Sequence, residues 1–250
     1  MKALLLAAGL GTRLRPLTDT TPKCLVPIAG RPLLDYWLHS LFSADIERIL
    51  VNTHHHEESV LKFLGASKYR DRVDTVSEPE LLGTAGTVAN NLGYFDGESF
   101  LVAHADNLCI CDFNTFITAH RQRPIHTSMT MMTFNAPDPK QCGVITLNEE
   151  KVVQEFFEKV DNPPSDLANA AVYIFEDAVG EYCKSFSTNT PDISLNIIPY
   201  FLKRIFTWHN SHYHIDIGTP ESFALANRKV VELVPVIEKL GWFPNAEIIK

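Results

Sequence analysis

Short apolar runs alternate with amphipathic stretches along the first half of the chain. The apolar runs are continuous, as in strands buried on both faces of a parallel sheet, and they cover Lys2 to Ala7, Arg48 to Thr53, Ser99 to Ala103 and Thr127 to Phe134. Between them, helical spacing of apolar residues marks Leu33 to Phe42, Glu57 to Leu64, Thr84 to Leu92 and Phe113 to Arg121. This alternation predicts a doubly wound α/β fold.

The pattern changes after about residue 138. Strand-like segments then follow one another with few helices between them, at Cys142 to Leu147, Val152 to Phe157 and Ala170 to Phe175, and helices are predicted at Leu195 to Ile205 and Glu221 to Leu233. We therefore predict a mostly parallel, Rossmann-like mixed sheet flanked by helices. No linker or internal repeat marks a boundary, so we predict one domain over residues 1–250, with a first part at 1–135 and a second at 136–235.

Composition narrows the classes of partner. The chain has 250 residues, of which 45% are hydrophobic, and a formal net charge of −8, so it lacks the clustered Lys and Arg that a nucleic-acid surface needs. Its 5 cysteines are odd in number and scattered, which favours reduced thiols in a cytosol. The first apolar run is too short for a signal peptide, and no stretch is long enough to span a bilayer. We expect a cytoplasmic protein that binds neither nucleic acid nor membranes.

Two glycines follow the first predicted strand. In the run Gly9 to Gly11 the backbone can approach a ligand and direct N–H groups at phosphate oxygens, although a plain strand-to-loop turn has the same pattern. A dinucleotide-binding fingerprint needs a third glycine where Leu14 stands and an immediate helix, which Pro16 and Pro22 disfavour. A P-loop needs Gly-Lys-Ser/Thr after four residues, which does not follow Gly9. A phosphate loop of another type remains.

The residues around this loop form a long spaced pattern. It reads Leu6-Ala7-Ala8-Gly9-Leu10-Gly11-Thr12-Arg13-Leu14, then Pro16-Leu17-Thr18, then Thr21-Pro22-Lys23-Cys24-Leu25-Val26-Pro27. The pattern resembles the signature of sugar-1-phosphate nucleotidyltransferases, in a short form similar to mannose-1-phosphate guanylyltransferases, with Ala8 where a second glycine is usual. The resemblance implies the nucleotide-diphospho-sugar transferase type of fold. It also implies that residues 1–135 bind the nucleotide and residues 136–235 bind the sugar phosphate.

Two cations in this pattern suit phosphate chemistry. Arg13 offers a planar fork for two phosphate oxygens, and Lys23 offers a point charge for an oxygen that gains charge in the transition state. Prolines stiffen the backbone beside both, which disfavours the alternative of two solvated surface cations. The resemblance implies that both are catalytic. It also implies a set of nucleotide-binding residues in the loop: Leu6, Ala8, Gly9, Gly11 and Thr12.

A nucleoside triphosphate and a sugar phosphate repel each other, and Mg²⁺ held by carboxylates is the usual way to reduce that repulsion. Asp106 ends a predicted strand, and Asp216 lies where a strand-like piece meets Gly218 and a helix. Each aspartate could instead cap the element that follows it. Both match metal-binding positions of the family, although Ala105 replaces the usual glycine before Asp106. We therefore expect Mg²⁺ at Asp106 and Asp216.

The run Glu78 to Gly86 is similar to the family segment E-x-x-L-G-T-A-G. The resemblance implies that Gly83 and Thr84 bind the nucleotide by lying against its base. The glycines of this run also fit a plain turn from a loop into a helix.

Two segments of the second half are similar to sugar-binding elements of the family. The segment ending at Lys159 resembles F-x-E-K-P, which implies that Lys159 contacts the sugar phosphate as a catalytic residue and that Glu158 binds beside it. The segment Leu167 to Phe175 resembles N-A-G-x-Y, which implies that Asn169 bonds a sugar hydroxyl. Here Ala171 stands where glycine is common, so the choice of sugar can differ.

Other clusters of metal-ligand residue types do not predict a metal site. Three consecutive histidines, His54 to His56, cannot all face one ion in a regular element, so a polar loop or helix start is the better interpretation. Cys109 and Cys111 lack a matching second pair, which argues against zinc.

The expected reaction is in-line transfer of a nucleotidyl group to a sugar 1-phosphate, with pyrophosphate as the second product. GTP with a mannose- or heptose-type phosphate is favoured over the alternative of a uridylyltransferase acting on an amino-sugar phosphate. A second alternative is a regulatory protein that binds nucleotide-sugars without catalysis, and a nicotinamide oxidoreductase is disfavoured by Leu14. The expected partners are the two substrates, and the protein is expected to be a monomer or a homodimer.

Overall fold

The computed structural model describes residues 1–44, 46–186 and 190–243. Its strands are β1 (Lys2–Leu6), β2 (Pro27–Ile28), β3 (Arg31–Pro32), β4 (Ile49–Thr53), β5 (Val73–Ser77), β6 (Phe100–His104), β7 (Asn107–Ile110), β8 (Met129–Asn135), β9 (Gly143–Leu147), β10 (Val153–Glu158), β11 (Leu167–Phe175), β12 (Ile205–His209) and β13 (Tyr213–Asp216). Its α-helices are α1 (Leu33–Ser43), α2 (Glu57–Ala66), α3 (Thr84–Asn90), α4 (Phe113–Arg121), α5 (Asp177–Cys183), α6 (Ile198–Phe201), α7 (Pro220–Glu232) and α8 (Val234–Lys239).

The predicted α/β class is confirmed, because helices flank a mixed central sheet. Nine strands form this sheet, in the order β10-β9-β11-β6-β1-β4-β5 with β8 against β11 and β12 against β8. β4 pairs with β5 and β12 pairs with β8 in parallel, whereas β11 is antiparallel to β6, β8 and β9. The second half therefore adds the antiparallel strands that the change of pattern after residue 138 predicts.

The chain divides into two compact units that interleave along the sequence. Unit 1 comprises Met1–Leu4, Leu81–Ala103 and Asn114–Ser211, and unit 2 comprises Leu5–Glu80, His104–Phe113 and His212–Lys250. The prediction of one domain with a division at residue 135 stays a prediction. Among the helices described, none has the length and apolarity needed to cross a membrane.

Each unit has its own aromatic packing. In unit 1, the rings of Phe95 and Phe100 stack with centroids 4.0 Å apart, and Phe175 meets Phe100 edge-on. In unit 2, Trp37 and Phe113 lie 5.9 Å apart between centroids and are almost fully buried. Burial of such large side chains is a main source of stability in each unit.

The helix predicted over Leu195 to Ile205 is confirmed up to Phe201 and wrong beyond it. A π-helical turn at Ile193–Ile197 leads into the short α6, and β12 begins at Ile205. Pro199, in the first turn of α6, has no N–H to continue a regular ladder of helical hydrogen bonds. The helix ends at Phe201, because Leu202 is already extended, and Lys203 then takes a left-handed conformation with φ 65° without the glycine that usually marks such a position.

Candidate active site

The glycine loop after β1 is held at both ends in unit 2. At its start, the Ala7 N–H donates to Asn52 Oδ1 over 2.7 Å. At its far end, Gly11 has φ 62°, and its carbonyl accepts a bond from the Thr18 hydroxyl. A Cβ added at Gly11 would lie 3.0 Å from Thr18 Cγ2 and 3.2 Å from Lys23 Cβ, so glycine is needed for both conformation and space. The backbone from Gly9 to Thr12 is thereby fixed while Gly9 and Thr12 stay exposed.

Asn52 and Glu78 support the start of the glycine loop, a role that was not predicted from the sequence. Asn52 lies in β4, Glu78 directly follows β5, and each is only 3% exposed. Asn52 Nδ2 donates to Glu78 Oε1 over 2.9 Å, so the carboxylate orients the amide that holds Ala7. A polar residue inside the otherwise apolar run of β4 was the available signal.

The structure brings four predicted residues of unit 2 into one charged cluster. The Lys23 ammonium donates to Asp106 Oδ2 over 2.8 Å and to Asp216 Oδ1 over 2.7 Å. The Arg13 Nη2 group donates to the other oxygen of Asp216 over 3.1 Å. The Lys23 side chain is 5% exposed, whereas those of Asp106 and Asp216 are 32% and 48% exposed. The cluster is therefore a buried cation under two carboxylates that still face solvent.

Electrostatics in this cluster favour the charged forms. Burial by itself lowers the pKa of Lys23, but Asp106 and Asp216 more than offset it, so the pKa of Lys23 lies above its ordinary value. For Asp106, burial raises the pKa, but the charges of Lys23 and His104 lower it by more than burial raises it. The pKa of Asp106 therefore lies below its ordinary value. Both partners of the Lys23–Asp106 pair are consequently ionised at neutral pH.

A short antiparallel ladder places the two aspartates. β13 pairs with β7 so that Asp216 lies opposite Asn107, the residue after Asp106. Thr219, rather than Asp216, caps α7, because its side chain accepts the Ser222 N–H in a reciprocal capping box. The alternative role of Asp216 as a helix cap is therefore taken by another residue.

Residues predicted to bind the sugar phosphate lie in unit 1. Lys159 follows β10 with its Nζ 3.5 Å from Glu158 Oε1, and its side chain is 63% exposed. The pKa of Glu158 is raised, first by burial and also by the charge of Asp192, while Lys159 opposes the shift. The cation is thus free to move in solvent, and the carboxylate beside it is half-buried.

Asn169 shapes a bulge in β11. Its Oδ1 accepts the Ala171 N–H over 3.0 Å, and its Nδ2 donates to the Tyr173 hydroxyl over 2.7 Å. Pairing of β11 with β8 shifts register between Asn169 and Tyr173, and Ala171 within this shift has φ 52°. The family's usual glycine at this place would adopt that conformation without strain.

Gly83 and Thr84 pack against a loop of unit 1. A Cβ added at Gly83, where φ is 75°, would lie 2.5 Å from the Thr190 carbonyl carbon. The Thr84 hydroxyl donates to Asp192 Oδ2, and the Ala85 N–H donates to the Pro191 carbonyl over 2.9 Å. The predicted contact of Gly83 and Thr84 with a nucleobase stays a prediction.

The remaining predicted loop residues lie at or directly after the end of β1. Leu6 and Ala8 are almost fully buried, and Gly9, Gly11 and Thr12 follow them toward Arg13. Unit 2 therefore holds the predicted phosphate and metal residues, and unit 1 holds the predicted sugar residues with Gly83 and Thr84.

These features define an α/β protein in which a glycine loop leads to a lysine shared by two aspartates. The chain belongs to the nucleotidyl transferase family, whose family model matches residues 2–232. The resemblance to sugar-1-phosphate nucleotidyltransferases is thereby confirmed.

Two curated relatives are named for different nucleotides. The chain is 30% identical over 235 residues to mannose-1-phosphate guanylyltransferase of Mycobacterium tuberculosis. The alignment covers 92% of this chain and 64% of that protein. It is 32% identical over 183 residues to glucose-1-phosphate thymidylyltransferase of Streptomyces griseus. That alignment covers 72% of this chain and 51% of that protein. The chain thus spans less than two thirds of the length of either relative.

Among solved structures, the fold matches that of a Bacillus anthracis protein in complex with sucrose. The TM-score is 0.83 at 24% sequence identity, and the match covers 91% of this chain and 94% of that chain. At this identity the likeness shows the fold.

Proposed function

We propose that the chain transfers the nucleotidyl group of a nucleoside triphosphate to a sugar 1-phosphate, releasing pyrophosphate and a nucleotide-sugar. The observation that carries this proposal is the buried Lys23 ammonium held between Asp106 and Asp216 beside a glycine loop. Family membership and the names of the two curated relatives support it. Because the chain spans only part of the length of those relatives, the activity of the whole protein is itself part of the proposal.

Arg13 and Lys23 would hold the triphosphate in different ways. The Arg13 side chain is 66% exposed, and its bond to Asp216 is a surface ion pair of the kind worth about 0–1 kcal/mol. Arg13 can therefore exchange Asp216 for two phosphate oxygens at little cost. Lys23 is fixed by burial, so its charge is preorganised for an oxygen that becomes more negative in the transition state.

Asp106 and Asp216 fit a divalent cation. One oxygen of each lies within 2.8 Å of the Lys23 ammonium, so a positive charge already stands between two hard oxygen donors. Mg²⁺ at nucleotide sites usually takes one or two carboxylates and completes its shell with water and substrate phosphates. Such a site needs no cluster of three or more metal-ligand side chains, and none is found among the described residues. When bound, Mg²⁺ would neutralise and orient the triphosphate.

Lys159, Glu158 and Asn169 would hold the sugar phosphate. Lys159 offers a mobile ammonium for its phosphate, and the other two offer hydrogen bonds to sugar hydroxyls. An oxygen of the sugar phosphate would form a bond to the α-phosphorus as the bond from that phosphorus to the pyrophosphate oxygen breaks. The sugar phosphate is ionised near neutral pH, so alignment and charge neutralisation replace a general base.

GTP with a mannose- or heptose-type 1-phosphate is the proposed substrate pair. The guanylyltransferase name of the Mycobacterium tuberculosis relative supports GTP, whereas the thymidylyltransferase name of the Streptomyces griseus relative keeps other nucleotides in the test. We also propose a cytoplasmic location, in keeping with an odd number of cysteines.

A substrate matrix tests the proposal. Four nucleoside triphosphates are combined with mannose, glucose, heptose and amino-sugar 1-phosphates, with and without Mg²⁺, and pyrophosphate release is measured. The proposal expects Mg²⁺-dependent release that is greatest with GTP and a mannose- or heptose-type phosphate. Greatest release with UTP would reassign the nucleotide. Nucleotide-sugar binding without release from any pair would favour a non-catalytic regulatory protein instead.

A further inference from the structure

The peptide group between Leu6 and Ala7 is held on both sides within unit 2. Its oxygen, the Leu6 carbonyl, accepts the Ala105 N–H over 3.0 Å. Its hydrogen, the Ala7 N–H, is donated to Asn52 Oδ1 over 2.7 Å. Ala105 directly precedes Asp106, and the glycine loop begins directly after Ala7. This one peptide group therefore ties the start of the glycine loop to the turn that carries Asp106.

The Ala7 N–H depends on a side chain for its hydrogen bond. Ala7 is 8% exposed, so this N–H has little access to water and needs a partner inside the protein. Asn52, a buried residue of β4, supplies that partner. Without the amide, a buried donor would be left unsatisfied, which costs more than a typical hydrogen bond contributes. The start of the loop would then have to move for Ala7 to find another acceptor.

Glu78 fixes the direction in which the Asn52 amide faces. Asn52 Nδ2 donates to Glu78 Oε1 over 2.9 Å, and a carboxylate only accepts hydrogen bonds, so the nitrogen end of the amide belongs on this side. The backbone of Glu78 is held as well. Its N–H donates to the Thr53 carbonyl over 2.8 Å, and its carbonyl accepts a bond from His54 Nδ1 over 2.7 Å. The amide oxygen is thereby kept directed at Ala7.

We propose that Asn52 is a positioning residue for the triphosphate, oriented by Glu78 and acting through the Leu6–Ala7 peptide group. This inference rests on the proposed function, in which the glycine loop binds the triphosphate and Asp106 lies beside it. Alignment of bound phosphates is a main source of catalysis in such a reaction. The residues proposed to hold the sugar phosphate lie in unit 1, so loss of the Asn52 amide should affect the triphosphate alone.

The variant Asn52→Ser tests the proposal, because serine is too short to make either bond of the amide. With the most active substrate pair, KM for the triphosphate should rise by about 3- to 10-fold, as for loss of one net hydrogen bond. The turnover number should fall by about 10-fold or more, because the phosphates are misaligned. KM for the sugar phosphate should stay within about 2-fold of that of the unmodified protein. Isothermal titration calorimetry with the triphosphate alone measures the weaker binding without turnover.

An exchange of the two side-chain types provides a rescue. Asn52→Asp alone sets a second carboxylate against that of Glu78, and their repulsion should weaken triphosphate binding. Adding Glu78→Gln restores one amide and one carboxylate and returns the formal charge to its original value. The carboxylate at position 52 then accepts the Ala7 N–H, and the amide at position 78 donates to its other oxygen. With Glu78→Gln alone the set forms a double-mutant cycle, in which the double variant should recover most of the affinity that Asn52→Asp loses.

Asn227→Ser is the matched control within unit 2. Asn227 Oδ1 accepts the Ala29 N–H over 2.8 Å, and its Nδ2 donates to the Phe223 carbonyl over 2.9 Å. The change therefore removes a similar pair of bonds, but from the connection between β2 and β3 rather than from the glycine loop. It should lower thermal stability and leave both KM values unchanged.

Each outcome counts for or against the role of Asn52. Unchanged triphosphate binding in Asn52→Ser would overturn it, as would an equal rise in the two KM values or a double variant no better than Asn52→Asp. If Asn52→Ser does not fold, as judged by far-UV circular dichroism, Asn52→Asp and its double variant decide. If the unmodified protein binds triphosphates but releases no pyrophosphate with any pair, the proposed function is refuted, and triphosphate binding by the variants still decides the role of Asn52.

Discussion

Replacing Lys23 with methionine tests the centre of the candidate site. Methionine, like the aliphatic part of lysine, is unbranched and apolar, so the buried position stays filled. The change removes the ammonium that bonds Asp106 and Asp216. Turnover should fall by about 10²- to 10³-fold, as for loss of one preorganised electrostatic contact to the transition state. Binding of a divalent cation in the absence of nucleotide should become tighter, because the ammonium no longer competes for the two carboxylates.

The distance between the two carboxylates sets how much more tightly the variant should bind a divalent cation. The two carboxylate oxygens bond one nitrogen, so they cannot be further apart than the sum of the 2.8 and 2.7 Å bonds. Two unit charges roughly 5 Å apart repel by about 3 kcal/mol at an effective dielectric constant of about 20. Water screens both groups, since they are 32% and 48% exposed. We therefore count about half of that repulsion. A bound cation would relieve it, which corresponds to roughly 10-fold tighter binding of the cation by the variant.

Cation binding is measured by titration with Mn²⁺, which is monitored by electron paramagnetic resonance. Turnover is measured as pyrophosphate release. Lys62→Met is the matched control, because Lys62 is an exposed residue of unit 2 in α2. It should change neither quantity. Weaker Mn²⁺ binding by Lys23→Met, or turnover near that of the unmodified protein, would refute the assigned role of the ammonium.

Three single positions yield further outcomes. Because the fold lowers the pKa of Asp106, its contribution to stability is present above pH of about 4 and is lost as the pH falls through the folded value, so urea unfolding should show a shallower acid limb in Asp106→Asn. Gly83→Ala should lower the free energy of unfolding by about 1–3 kcal/mol. Gly93→Ala should not, because no described residue other than its chain neighbours lies within 4 Å of the added Cβ; equal losses in the two variants would contradict the argument. Ala171→Gly relieves a left-handed conformation in β11 and should change stability by less than about 1 kcal/mol in thermal unfolding, so a larger loss would mean that its methyl group is needed for packing.

The helices and strands that were predicted well from the sequence are those marked by residues within or next to the element itself. α7 begins at Pro220 behind the Thr219 cap, and β4 is a continuous buried run, so both lie close to their predicted bounds. β12 was missed because Ile205–His209 has no glycine or asparagine before it to separate it from the preceding helical spacing. Its strand conformation comes from parallel pairing with β8, a contact between segments distant in sequence.

The candidate site divides in the same way. The motif identified Arg13 and Lys23 by residue type and spacing, and the fold placed them together with Asp216. Asn52 was missed because its partners, Ala7 and Glu78, are 45 and 26 residues away. No local pattern records such a contact. The Thr84–Asp192 bond spans 108 residues and escaped for the same reason.

The site of Lys23 depends on two short paired strands. β7 and β13 have only 4 residues each, and their register alone sets Asp216 beside the residue that follows Asp106. A slip of one residue in an antiparallel ladder turns every side chain to the opposite face. Asp216 would then leave the Lys23 ammonium, and Arg13 would lose its partner as well. The two aspartates therefore become one site through the pairing of β7 with β13, and variants that weaken this ladder should impair turnover without changing any charged residue.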